Sequence, residues 1–176
     1  MLRSRAVTTS PTSVPGPTTQ LTFRSAVAAD LARVVELIAD DAVAAARTGE
    51  LGPEHEAAFA AIDADPNNEL VVVELDGQVV GTMQLTVIPG ISRRGASRLL
   101  VEAVRVDRRL RGRGVGRAMM TWAHAWGVER GCVLAQLTSD KQRDDAHRFY
   151  RSLGYAQSHE GFKLTLAPSQ TPGVPR

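Results

Sequence analysis

The residue types that could do chemistry gather in one short stretch of this 176-residue chain. Val104-Arg105-Val106-Asp107-Arg108-Arg109-Leu110-Arg111-Gly112-Arg113-Gly114-Val115-Gly116 reads as a strand, a loop and the start of a helix. Small residues there let backbone N–H groups approach an anion, and the unpaired amides and dipole of a helix start favour phosphate. Nine arginines stand between Arg93 and Arg117 against Glu102 and Asp107, a local net charge of +7. Such a segment is solvated surface, a nucleic-acid contact, or a site for a phosphate-bearing ligand. A Walker A loop needs Gly-Lys followed by Ser or Thr, which is absent. A Rossmann fingerprint needs glycine at its sixth position, where Arg117 stands when counting from Gly112. What remains is Arg-x-x-Gly-x-Gly, set by Arg111, Gly114 and Gly116.

A few titratable groups could add acid–base chemistry. Glu102 lies inside an apolar strand pattern, between Val101 and Ala103, and on a regular strand it shares a face with Val104. It reads either as a proton acceptor or amine-binding group, or as the partner of a nearby arginine. Tyr150, with Phe149 and Leu153 beside it in the helical period, reads from its spacing as a core tyrosine. His147 and His159 read as surface histidines, and Cys132 as an inert strand cysteine. One cysteine forms no intrachain disulfide framework and holds no structural zinc by itself, so no metal site is expected.

The elements that must position these groups can be read from periodicity. Leu21-Thr22-Phe23-Arg24 alternates as a short strand; Asp30 should cap a helix carrying Leu31, Val34, Val35, Ile38 and Ala42. Gly52-Pro53 opens a second helix that should stop by Asp65-Pro66. Leu70 to Leu75, a turn at Asp76-Gly77, and Val79 to Val87 form a hairpin, and Leu99 to Val106 adds a third strand. A helix from the glycine loop to Arg130 presents Val115, Ala118, Met119, Trp122 and Ala125, with Gly131 as its stop. Cys132 to Leu137 is a strand, Asp144 or Asp145 caps a last helix, and Phe162 to Leu166 reads as a closing strand. The order βααβββαβαβ predicts an α/β (α+β) domain with helices packed on one central sheet. Proline-rich ends predict disordered tails at 1–20 and 167–176 around a domain at 21–166.

This arrangement resembles the GNAT superfamily of N-acetyltransferases, whose acetyl-CoA pyrophosphate loop carries Arg-x-x-Gly-x-Gly after a central strand. A later helix in that family carries Phe-Tyr followed by Gly and an aromatic, matched here by Phe149, Tyr150, Gly154 and Tyr155. The resemblance spans Leu70 to Tyr155, with Leu21 to Asp65 as the usual strand and two helices. It implies a twisted mixed, mostly antiparallel sheet with helices on both faces, splayed where the pantetheine arm lies. It also implies acetyl-CoA as co-substrate, held by Val104, Arg105, Val106, Arg111, Gly112, Arg113, Gly114, Val115, Gly116 and Arg117. Two positions depart from the family: Arg108 stands where Pro is frequent, and Arg143 where Asn is frequent. Arg143 either makes a charge contact to the cofactor or faces solvent.

The resemblance implies direct acetyl transfer to a primary amine, with Tyr150 as general acid for the leaving thiolate. Val106 N–H would polarise the thioester carbonyl, and Glu102 is the candidate base, directly or through a water. An inert Cys132 argues against an acetyl-cysteine route. The acceptor is expected to be a small molecule; a protein or peptide amine, or a non-catalytic acetyl-CoA-binding regulatory module, is the alternative.

Charge and hydropathy bound the partners. Between Asp30 and Glu69 ten acids face Arg33 and Arg47, a local net of −8. That acidity disfavours a nucleic-acid backbone and suits a cationic amine. No apolar run reaches the ~18 residues of a membrane span, and Met1 to Gln20 has no apolar signal core. A cytoplasmic protein without membrane partner is expected, and a homodimer is compatible with the reading.

Overall fold

The computed structural model describes residues 12–13, 20–40, 42–164 and 166. Its contacts divide the chain into two compact units, Met1–Leu137 and Thr138–Arg176. The first holds a six-stranded sheet whose strands lie side by side in chain order. These are β1 (Thr12–Ser13), β2 (Gln20–Ser25), β3 (Asn68–Leu75), β4 (Gln78–Ile88), β5 (Ser97–Val106) and β6 (Cys132–Gln136). Every neighbouring pair is antiparallel except β5 and β6, which run parallel. Its helices are α1 (Leu31–Ile38), α2 (Ala42–Thr48), α3 (Pro53–Ala64), the single turn α4 (Ser92–Gly95) and α5 (Val115–Glu129). The second unit holds α6 (Asp144–Ser152). The mixed, mostly antiparallel sheet is the one expected.

Strand β3 shows why this sheet takes helices on both faces. Leu70 to Val73 are all buried, so successive side chains fill cores on opposite sides. On one side Leu70 and Val72 join Ala26, Leu31 and Val34, with Ile38, Phe59 and Ile62 packed against them, which seats α1 and α3. On the other, α5 closes over the sheet, and Trp122 stacks on Phe23 of β2 with ring centroids 5.4 Å apart and planes 6° from parallel. Asp76 and Gly77, both at positive φ (51° and 75°), make the two-residue hairpin turn between β3 and β4.

Four expectations need correction. The first helix is two: α1 ends at Ile38, and its last turn closes through Ala39 N–H donating to the Val35 carbonyl. Asp40 then breaks the line, its carboxylate spent on Arg111, and α2 begins separately at Ala42. Asp30 does not cap α1; it ends a 3-10 turn and reaches back to accept the Val27 N–H at 2.8 Å. On α5 the buried stripe is Val115, Ala118, Met119, Met120, Ala123 and Trp126, and Ala125 faces outward. Leu153, Gly154 and beyond leave α6 without a following strand: residues 162–164 are irregular, with Phe162 and Leu164 95% and 84% exposed. Alternation alone does not make a strand, which needs a partner edge to satisfy its amides, and Thr165 lies outside the described residues. The expected tails likewise fall largely outside them, though Thr12 and Ser13 pair with Leu21 and Gln20.

Gly127 sets how closely α5 sits on β5. A Cβ placed there would lie 2.9 Å from Leu99 Cδ2 and 3.3 Å from Leu99 Cβ. Gly127→Val is therefore expected to lower stability by about 2 kcal/mol through overpacking. Urea unfolding of the two proteins, with unchanged slope, measures it; equal midpoints would refute the close-packing role.

Candidate active site

Strand β5, which holds several of the candidate residues, has two edges that are treated differently. Along β4 it is paired from Arg98 to Val106. Along β6 it is paired only from Ser97 to Leu100. From Val101 to Val106 the second edge has no strand partner among the described residues, although the Val104 carbonyl accepts from Arg105 Nη1 at 3.0 Å. A bulge lies in this bare stretch. Thr82 pairs with Arg105 and Gln84 with Glu102, so Ala103 and Val104 together face Met83. Ala103 takes φ 50°, the left-handed conformation that costs a residue with a Cβ about 1–2 kcal/mol. The bulge interrupts the regular alternation that would have put Glu102 and Val104 on one face.

Direction along the strand can be read from one hydrogen bond. Asp107 donates its N–H to the Val80 carbonyl at 2.8 Å, toward β4. Alternation then turns the N–H and C=O of Val106 toward the bare edge. The Val106 carbonyl there accepts from Arg111 Nε at 3.3 Å.

Beyond β5 the chain makes a 3-10 turn, Arg108–Leu110, capped by Asp107. The Asp107 carboxylate is buried and serves several donors at once. It accepts the Arg109 N–H at 2.9 Å, Arg109 Nε at 3.0 Å, Arg109 Nη2 at 2.7 Å and Arg33 Nη2 at 2.5 Å. Arg109's side chain, then its amide, and Arg33 hold the carboxyl well below the usual carboxylate range against the opposing effect of burial. Arg33 Nε also donates to the Val79 carbonyl at 3.1 Å, so the end of β5 is tied to both α1 and β4. Arg111, besides its bond to Val106, pairs with Asp40 at the end of α1.

Gly112 and Gly114 then turn the chain into α5 at φ 75° and 84°. A Cβ at Gly112 would meet nothing within 4 Å, so glycine is required there for conformation rather than room. Gly114 is the N-cap of α5, and its carbonyl accepts the Ala118 N–H at 3.0 Å. Val115 and Gly116 open the first helical turn, where amide N–H groups have no carbonyl one turn back. With Arg113 and Arg117 flanking, this is a cradle whose donors and charge fit a pyrophosphate.

In the second unit, Tyr150 lies near the end of α6 between two rings, 5.2 Å from Phe149 and 5.9 Å from Tyr155 by centroid. Burial, with Tyr150 adding to it, pushes the Tyr155 hydroxyl up to about 12. Tyr155 therefore stays protonated through the physiological range. Arg143 occupies the N-cap of α6, and its carbonyl accepts the His147 N–H at 3.0 Å.

The sequence-predicted residues thus fall in two groups. Glu102, Val104, Arg105, Val106 and the loop from Arg111 to Arg117 lie on consecutive elements of the first unit, while Arg143, at the N-cap of α6, and Tyr150, on α6, lie in the second. Glu102 is exposed, and among the described residues its carboxylate has neither ion-pair nor hydrogen-bond partner, so the arginine pairing weighed above is not made. His147 is half-buried and His159 exposed, bonded to Ser158. Burial pushes the half-buried Cys132 thiol up, away from thiolate. No cluster of three His, Cys, Asp or Glu placed to hold a metal occurs among the described residues, and no helix there is long and apolar enough to cross a membrane. Sequence reasoning missed Asp107 and Arg33. An Asp before a turn was a local signal for the first; nothing local marks an arginine 74 residues away.

Comparison with known proteins agrees with this geometry. The family model described as Acetyltransferase (GNAT) family matches residues 32–155. An aminoalkylphosphonate N-acetyltransferase from Salmonella typhimurium is 34% identical over 109 residues, 62% of this chain and 69% of that one. A crystal structure called a transcriptional regulator, from Bacillus halodurans C-125, is 40% identical, with TM-score 0.80 over 83% of this chain and 99% of its own. A putative acetyltransferase from Agrobacterium tumefaciens is 29% identical, with TM-score 0.73 over 82% and 99%. The family model spans most of the chain and both kinds of relative agree with it, so the chain belongs to the GNAT family as an N-acetyltransferase.

Proposed function

We propose that the protein moves an acetyl group from acetyl-CoA directly to the primary amine of a small molecule. The observation that supports this best is that β6 pairs with β5 only as far as Leu100. Among the described residues no strand covers this edge from Val101 to Val106, where the chain runs on to the cradle at the start of α5. Acetyl-CoA supplies the activated acetyl thioester. Arg111, Gly112, Arg113, Gly114, Val115, Gly116 and Arg117 hold its pyrophosphate, and Val104 to Val106 pair with its pantetheine arm. Val106 N–H donates toward the carbonyl oxygen where negative charge develops. A lysine-like amine, ordinarily protonated below about pH 10.4, must lose a proton before it attacks. Glu102, exposed and unpaired, takes that proton directly or through a water. Tyr150 gives its phenol proton to the departing thiolate.

The acceptor class draws on the Salmonella relative, whose name gives it an aminoalkylphosphonate substrate. It also draws on the acidic segment, with a reduction. Asp30 is spent on Arg24, Glu36 on Arg33, Asp40 on Arg111 and Asp65 on Asn68, which leaves less free negative charge than the sequence count. An amine panel should contain aminoalkylphosphonates, amino sugars, polyamines and N-terminal peptides, read by CoA release with the product identified by mass. Acetylation of a small amine supports the proposal; acetylation of peptides alone, or no turnover with tight acetyl-CoA binding, overturns it. The regulatory reading, favoured by the printed name of the Bacillus halodurans structure, predicts the last outcome.

The base assignment has its own test. Glu102→Gln is expected to move the alkaline rise of the rate to higher pH while acetyl-CoA affinity holds. An unchanged pH profile and rate would remove Glu102 from the mechanism.

A further inference from the structure

One side chain beside the bulge is oriented by a chain of hydrogen bonds that the acetyl-transfer chemistry has not yet used. Gln84 of β4 is paired in register with Leu70 of β3 on one side and with Glu102 of β5 on the other. Directly paired residues point to the same face of a sheet, so Gln84 and Glu102 share the face on which Leu70 meets α1 and α3. Next to them on that face, Thr86 of β4 is paired with Asn68 of β3.

These amides have a fixed polarity. Asp65, just after α3, accepts from Asn68 Nδ2 at 2.6 Å and from the Asn67 N–H at 2.9 Å. Backbone and side-chain donation from Asn67 and Asn68 holds its carboxyl below the usual range, so it stays an acceptor. Asn68 must therefore present Oδ1 to the sheet, where it accepts from Thr86 Oγ1 at 2.7 Å and from Gln84 Nε2 at 3.3 Å. Reversing the Asn68 amide would set a donor against the Gln84 donor and an acceptor against the Asp65 carboxylate. With Nε2 so committed, Gln84 is left with Oε1 as an acceptor, which accepts from no group among the described residues. Half-buried Gln84 thus offers one uncommitted acceptor directly across from the unpaired Glu102 carboxylate, one residue before the left-handed Ala103.

We infer that Gln84 is a substrate-binding residue that seats the acceptor amine, resting on the transferase reading above. A primary ammonium carries three N–H donors. Glu102 accepts from one and removes its proton, which leaves the lone pair on that side of the nitrogen, and Gln84 Oε1 accepts a second and holds the nitrogen beside the bulge. Asp65 and Asn68 are positioning residues that act only through the Gln84 amide. An acceptor with a single hydrogen-bond donor, such as an alcohol, satisfies only one of the two acceptors and is rejected.

The test compares the parent enzyme with Gln84→Leu and Gln84→Glu, using the best amine from the panel above. Gln84→Leu removes the acceptor and is expected to raise the amine KM about tenfold, the scale of one lost hydrogen bond to a charged group, with acetyl-CoA KM unchanged. Gln84→Glu keeps an acceptor oxygen but loses the donor that Asn68 Oδ1 takes, so it is expected to recover the amine KM only in part, and its charge opposite Glu102 to move the rise of the rate to higher pH. An amine KM for Gln84→Leu equal to the parent's, or acetyl-CoA and amine KM rising together in both variants, overturns the inference. If Gln84→Leu fails to fold by thermal melting, Gln84→Met lacks the same oxygen and gives the same reading. Failure of the parent to acetylate any amine is a different result, and refutes the transferase proposal instead.

Discussion

Asp107→Ala is expected to lose about 3 kcal/mol of stability and to weaken acetyl-CoA binding in the same protein. The buried carboxylate is the common acceptor for Arg33 of α1 and for both the side chain and amide of Arg109. Losing a hydrogen bond to a charged group costs roughly 1.5–3 kcal/mol. Arg109 is largely exposed and Arg33 keeps Glu36 at 2.7 Å, so neither guanidinium is left buried and unpaired, and several lost bonds together give the expectation. The turn at Arg108–Leu110 loses its cap at the same time, and the glycine cradle follows directly from that turn. Urea unfolding and calorimetric titration with acetyl-CoA read the two effects. The acid limb gives a further check on the cause. The Asp107 carboxyl is held below its unfolded value by Arg109 and Arg33, so its stabilisation is complete above about pH 4. It is lost as pH falls from there toward the depressed folded value. The stability gap between parent and Asp107→Ala should therefore narrow below about pH 4. A gap that stays constant from pH 7 to pH 2 would show that lost packing, and not the charge, is responsible.

Tyr150→Phe is expected to lower kcat by about 10²-fold, the ordinary scale of a general acid, and to leave acetyl-CoA affinity nearly intact. The substitution removes one oxygen and keeps the ring that contacts Phe149 and Tyr155. Tyr155, held protonated to about pH 12, does not replace it readily by ionising, but its own hydroxyl is the control: Tyr155→Phe should change kcat much less. Parent-like turnover in Tyr150→Phe would return that tyrosine to a packing role.

What could be read from the sequence was local. The Asp76-Gly77 turn, the span of α3 from Gly52-Pro53 to Asp65-Pro66, and the arginine–glycine loop each depend on residues a few positions apart. The bulge was not legible, because Ala103 carries no left-handed signal and its conformation is set by what β4 presents opposite it. The same is true of the Asp107–Arg33 and Arg111–Asp40 pairs, whose members meet only after α1 has docked. Gln84 gave no cue at all; its role rests on an amide polarity passed from Asp65 through Asn68. Phe162 to Leu166 misled in the opposite sense, since alternation states which residues could share a face and says nothing of whether an edge is available.

The bare edge of β5 has a consequence for how the protein behaves in a crowded solution. A row of unpaired strand amides is a template for any other extended chain, so the stretch that admits a ligand also invites self-association. Arg105 sits within that stretch and the arginines of the following loop crowd its end, so a second copy approaching edge to edge brings like charge against like. By the acetyl-CoA placement proposed above, the ligand's phosphates would neutralise that charge in the same act that covers the edge. On that reading the same arginines would discourage the wrong strand from docking and attract the phosphate-bearing molecule that belongs there.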